Sequence, residues 1–215
     1  HSFPGRYLEI AAAGAPGELV SVHVDHFVSI IPTLTGFLLA MHGQDAEAEA
    51  MLQGVVARQV TRMALGVPAV LYGDVAMVGL AWVAHHRGDA AAAAQHLEHA
   101  VTAWRLAYLH STQGFGMIGA SGMPAAALLL LECGEPDRAA ALIDEFLRLV
   151  SWPQSLQHPH FGICCHVRGR LAAARGDRAA ALSELARALA VLGGPRHWLW
   201  AACAAARRAV EQSQP

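Results

Sequence analysis

The sequence predicts an all-α chain of about four antiparallel helix pairs followed by a C-terminal capping helix. Two observations carry that prediction. The hexapeptide Asp-Arg-Ala-Ala-Ala-Leu occurs twice, at Asp137 to Leu142 and at Asp177 to Leu182, each time just after a glycine that closes an apolar segment. Looser copies stand upstream at Gln44-Asp45 after Gly43 and at Asp89 after Gly88, so that Asp45, Asp89, Asp137 and Asp177 lie 44, 48 and 40 residues apart. Self-similarity at such a period marks stacked helical units. No segment alternates polar and apolar residues as a half-buried strand would.

Each element has its own reason. Pro4, Gly5, Gly14, Pro16 and Gly17 make residues 1–17 an irregular lead-in. A first helix is expected from Glu18 to His42, with a bend at Pro32, which lacks a backbone donor. Gly43 ends it, and Asp45 is expected to cap a second helix reaching Leu65. Gly66 and Pro68 then interrupt the chain. The second pair spans 70–110, divided at Gly88-Asp89. Gly114, Gly116, Gly119 and Gly122 form a connection. Pro124 suits a first turn and opens the third pair, 124–150. Trp152-Pro153 and His158-Pro159 mark the next connection, before the fourth pair at 161–192. Gly193-Gly194-Pro195 is a strong breaker. The terminal helix, 197–212, covers the open end of the stack.

Composition narrows the class. Of 215 residues, 54% are hydrophobic and 15% charged, with all 15 basic residues arginine and a net charge of −2. No basic block gathers in one stretch, as nucleic-acid binding would require, so direct nucleic-acid contact is not expected. The most apolar stretch, Phe27 to Met41, is shorter than the roughly 20 residues of a bilayer span and contains Pro32 and Gly36, so no membrane helix is expected. Cys133, Cys164, Cys165 and Cys203 lack the spacing of a disulfide framework and read as thiols in a reducing cytoplasm. The chain opens at His1 rather than methionine, which points to a tag remnant or a piece of a longer protein.

Constant offsets link the helices of a pair. Gly36, Gly43, Ala48, Leu52 and Val55 in the first pair match Ala81, Gly88, Ala93, Leu97 and Ala100 in the second. The fourth gives Gly169, Gly176, Ala181, Leu185 and Ala188. The third fits only with Pro136 and a neighbour read as an insertion. Small residues let antiparallel helices approach, and the large residue between them fills the gap. This pattern resembles the tetratricopeptide repeat over Ser29 to Leu192, although the period exceeds that family's roughly 34 residues and the usual first-helix aromatics are mostly missing. The resemblance implies a right-handed superhelix, an α-solenoid whose first helices line a concave face. It is also similar to the sensor arms of large bacterial ATPase-type transcriptional regulators.

Carried over on this register, the groove positions are Ile30, Thr33, Phe37 and Ala40, then Val75, Val78, Trp82 and His85, then Ile163, His166, Arg170 and Ala173. Phe37, Trp82, His85, His166 and Arg170 are the ligand-facing candidates. Aromatic rings beside an arginine fork suit an apolar peptide or a small molecule with an anionic group. The competing reading buries Phe37 and Trp82 between repeats. The resemblance therefore implies a non-enzymatic, cytoplasmic binding and regulatory module for a protein, peptide or small effector, with no cofactor.

Two alternatives stay open. His160, Cys164 and His166 in the histidine- and cysteine-rich stretch 158–166 could supply ligands to a metal or an enzymatic centre, although the spacing matches no zinc pattern. His23, Asp25 and His26 form a second polar cluster of the same kind. The alanine-rich faces would otherwise serve a self-associating scaffold, including a homodimer. Gly114, Gly116 and Gly119 match a dinucleotide-loop expression by letters, but no strand precedes them. Ser121 lacks the nucleophile-elbow spacing.

Overall fold

The computed structural model describes residues 30–64, 73–110, 122–149 and 159–213. Among these the chain is all-helical, with no strand. In order the helices are α1 (30–41), α2 (Asp45–Ala64), α3 (Gly73–His86), α4 (Ala90–His110) and α5 (Gly122–Glu132). Then follow α6 (Pro136–Leu149), α7 (Pro159–Ala174), α8 (Arg178–Leu192) and α9 (Trp200–Gln212). The lead-in, His23, Asp25, His26, the glycine-rich stretch 111–121 and His158 lie outside the described residues. No described helix is long and apolar enough to cross a membrane.

Four tight turns share one construction. Gly43, Gly88, Gly134 and Gly176 have φ of 72°, 76°, 79° and 78°, the left-handed conformation that closes a helix at low steric cost for glycine. Each glycine N–H bonds the carbonyl three residues back, as in Gly88 to His85 at 2.9 Å. The next N–H bonds five back, as in Asp89 to Ala84 at 2.9 Å. The carbonyl of that same residue accepts the first bond of the following helix from Ala48, Ala93, Ala139 or Ala181. One residue thus finishes one helix and starts the next. The glycines recur 45, 46 and 42 residues apart, a steadier period than that of the aspartates.

This frame corrects two expectations. Gln44, not Asp45, occupies the capping position before α2, and Asp45 instead holds His86 Nδ1 at 2.8 Å. The third pair needs no insertion. Counted from Gly134, it supplies Ala127, Ala139, Ile143 and Phe146 at the same offsets, all of them buried.

Side-chain volume explains the pairing. A Cβ built on Gly36 would lie 2.8 Å from Leu52 Cγ, and one on Gly169 would lie 2.6 Å from Leu185 Cγ. The large residue of the second helix therefore fills the space left by the missing side chain of the first. Leu52 also presses on the following unit, since a Cβ on Gly79 would stand 2.6 Å from its Cδ1.

Packing runs between near neighbours. Helices adjacent in sequence touch from α2 through α9, and the odd-numbered helices also touch one another, α3 on α5, α5 on α7 and α7 on α9. Among them α3 and α5 are apolar around almost their whole circumference and accordingly buried. In α5 every residue from Gly122 to Leu130 is buried, and in α7 every residue from Phe161 to Val167. The even helices are one-sided, and α6 buries only Ala139, Leu142, Ile143 and Phe146. At the C-terminal end, Arg178 donates to the carbonyls of Val210 at 3.2 Å and Glu211 at 2.9 Å, satisfying acceptors that the end of α9 leaves open.

Candidate functional site

The five groove candidates occupy the odd helices, and their exposure divides them. Phe37, on α1, is 6% exposed and Trp82, on α3, is 9% exposed. Trp82 donates its indole N–H to the Ala125 carbonyl of α5 at 3.3 Å, so its polar atom is used within the core. His166, on α7, is 1% exposed, and its Nδ1 has no hydrogen-bond partner among the described residues. Burial, reinforced by the Arg170 guanidinium, lowers its pKa to about 4, so the ring is neutral near pH 7. Only His85 and Arg170 keep appreciable accessible surface.

Those two stand on one edge, where α3, α5 and α7 end. His85 Nδ1 lies 3.6 Å from Cys133 Sγ, and Trp82 packs edge-on to His85 with centroids 5.9 Å apart. One residue earlier on α5, Glu132 pairs with Arg170. Cys133 is the exposed cysteine among otherwise buried thiols. Burial and the carboxylates of Glu135 and Glu132 raise its pKa, so the contact with His85 joins a neutral thiol to an imidazole rather than forming an activated thiolate.

The cysteines of α7 are inert for a similar reason. Burial first, and Cys165 beside it, raises the Cys164 thiol well above its ordinary value. Burial and the neighbouring Glu184 carboxylate push Cys165 up to about 12. Cys164 and His166 are two residues apart on one helix and so point in roughly opposite directions. Among the described residues, no three His, Cys, Asp or Glu side chains converge in metal-binding geometry.

A second site lies on the opposite, amphipathic side, where α6 meets α7 and α8. A cleft of about 330 Å³ has Ala140, Ile143 and Asp144 on one wall. Arg168, Leu171, Ala172 and Arg175 line the second, and Asp177, Ala180 and Glu184 the third. Arg168 reaches Glu184 Oε1 at 3.3 Å, while Glu184 Oε2 is buried without a hydrogen-bond partner. The sequence marks Glu184 only as a carboxylate on a polar face. The cleft depends on which side chains are missing from it, and alanine carries no positive signal.

The two preceding junctions are bridged. Arg87 binds Glu49 at 2.7 Å between α2 and the end of α3. Its partner holds the Glu49 carboxyl below its usual range. Arg138 joins Glu98 of α4 and also Glu135 at 2.6 Å. Further out, Arg105 makes a two-pronged contact with Glu145 at 2.9 and 2.7 Å, linking α4 to α6.

The chain matches no protein family model, no curated protein and no solved structure.

Proposed function

We propose that the chain is a non-enzymatic tetratricopeptide-like module, a right-handed α-solenoid of about four helix pairs capped by α9. It binds a protein, peptide or small effector as the cytoplasmic sensing arm of a larger bacterial transcriptional regulator. The observation that carries this reading is the single turn construction repeated at Gly43, Gly88, Gly134 and Gly176, with helix packing confined mainly to neighbours. An array of that kind gains surface area rather than a central cavity, and its ligands lie along faces that several units share. The edge formed by His85, Cys133, Glu132 and Arg170 draws residues from three successive odd helices, so a ligand there reports on their relative positions. Trp82 packs against His85 and His166 lies near Arg170 beneath that edge, while Phe37 is buried on α1. Ligand binding that favours one arrangement of neighbouring units over another shifts the array between them, which is how such an arm would signal.

Native mass spectrometry of untagged protein, with matched denaturing spectra, tests the proposal. A retained organic mass or peptide is the expected result. Stoichiometric zinc lost on denaturation would overturn it in favour of a metal centre in the histidine- and cysteine-rich stretch around His160, Cys164 and His166.

A further inference from the structure

Counted from the turn glycines, the three junctions between successive units use the same positions for different ends. At the first, the residue before the turn glycine is Arg87, and it faces Glu49 of the preceding even helix. At the third, the equivalent arginine is Arg175, but the position of Glu49 is taken by Ala140. At the second, the arm that crosses the junction is Arg138. Its equivalent at the third is Ala180. Both bridges are therefore replaced by methyl groups, and the cleft occupies the space they would have filled. Among the described residues Arg175 has no ion-pair partner.

We infer that this cleft is a binding site for a short peptide with free termini, of about two residues. Glu184 Oε2, buried without a partner, calls for an N–H donor, and Asp144 stands on the facing wall at nearly the same level in the unit. A ligand ammonium satisfies both. Arg175 lies seven residues beyond Arg168, in the turn just past the end of α7 and roughly 10 Å along the axis. Its unbridged guanidinium receives a carboxylate at that end, beside Asp177, whose Oδ1 is occupied by the Ala180 N–H. Between the two charged ends the walls are apolar, formed by Ile143, Leu171 and Ala140, and accept aliphatic side chains. A single amino acid is too short to span both ends, while the cleft volume falls at the small end of ligand pockets. This inference rests on the binding-module reading and assigns it a specific site.

The test is isothermal titration of the whole chain with Leu-Leu, N-acetyl-Leu-Leu and Leu-Leu-amide. Leu-Leu should bind, and blocking either terminus should weaken binding about tenfold or more, the loss expected when a charged hydrogen bond is removed. Glu184→Gln should reduce the penalty for acetylation, and Arg175→Gln the penalty for amidation. Ala140→Glu restores the carboxylate that Arg87 has at the first junction, so it should abolish binding while the protein stays folded by circular dichroism. No binding of Leu-Leu, or binding indifferent to Ala140→Glu, overturns the site. If binding is instead lost in Arg170→Gln, the ligand lies on the other edge and the binding-module reading survives without this cleft.

Discussion

At the scale of single residues, the same amino acid in helices of the same chain has opposite energetic signs. Gly169 sits where a Cβ would meet Leu185 Cγ at 2.6 Å and the Leu185 backbone nitrogen at 3.2 Å. Gly54, inside α2, has nothing within 4 Å of an added Cβ. Alanine at either position gains helix propensity of roughly 0.5–1 kcal/mol. At Gly169 that gain is outweighed by overpacking of about 1–3 kcal/mol, because the backbone nitrogen cannot rotate away as a side chain can. Gly54→Ala should therefore raise the urea midpoint and Gly169→Ala should lower it, with unchanged m-values. Gly36 and Gly169 are legible in the sequence as close-approach positions, because each recurs seven residues before a turn glycine. Gly54 gives no such signal.

At the scale of elements, the turn glycine rather than the aspartate sets the register, and the repeated hexapeptide obscures this. Asp177 follows its turn glycine directly and caps α8, accepting the Ala180 N–H at 3.0 Å. Asp137 comes three residues after Gly134 and lies inside the first turn of α6, where Glu135 holds the capping position. Identical letters thus serve two registers, and aligning them forces an insertion at Pro136 that the backbone does not contain. The energetic consequence is measurable. Asp177→Ala removes a cap and should cost about 1 kcal/mol. Asp137→Ala forfeits only a favourable interaction with the helix N-terminus, a few tenths of a kcal/mol. Equal losses in chemical denaturation would show that the two copies do the same work. The helices and their pairing were readable because stop signals and buried offsets repeat. The exposed edge and the cleft were not, because α3 and α5 are apolar on almost every side and periodicity cannot then say which face is open.

At the scale of the whole molecule, two buried groups with no partner for one polar atom oppose each other across the acidic range. His166 is neutral in the fold, with its pKa lowered by burial from 6.5 to about 4. Its stabilising contribution is complete above pH 6.5 and is lost as pH falls toward 4, because the unfolded chain takes up the proton first. Asp74, at the start of α3, runs the other way. Burial, offset in part by nearby backbone N–H groups, raises its pKa from 3.8 to about 7. Its contribution is complete below pH 3.8 and is lost as pH rises toward 7, where the fold must hold either a bound proton or a buried charge. Each span corresponds to a few kcal/mol, of the order of 3, and the slopes largely cancel between about pH 4 and 6.5. Replacing Asp74 by asparagine removes one side of that balance. Asp74→Asn should stabilise the chain at pH 7.5 by roughly 3 kcal/mol and uncover a loss of stability on acidification from pH 6.5 to 4.5. His166→Leu should do the reverse, leaving a protein whose stability falls as pH rises through the same range. Urea midpoints at pH 4.5, 6 and 7.5 for the three proteins decide it. Parallel pH profiles would mean that neither side chain is held in the protonation state its surroundings impose.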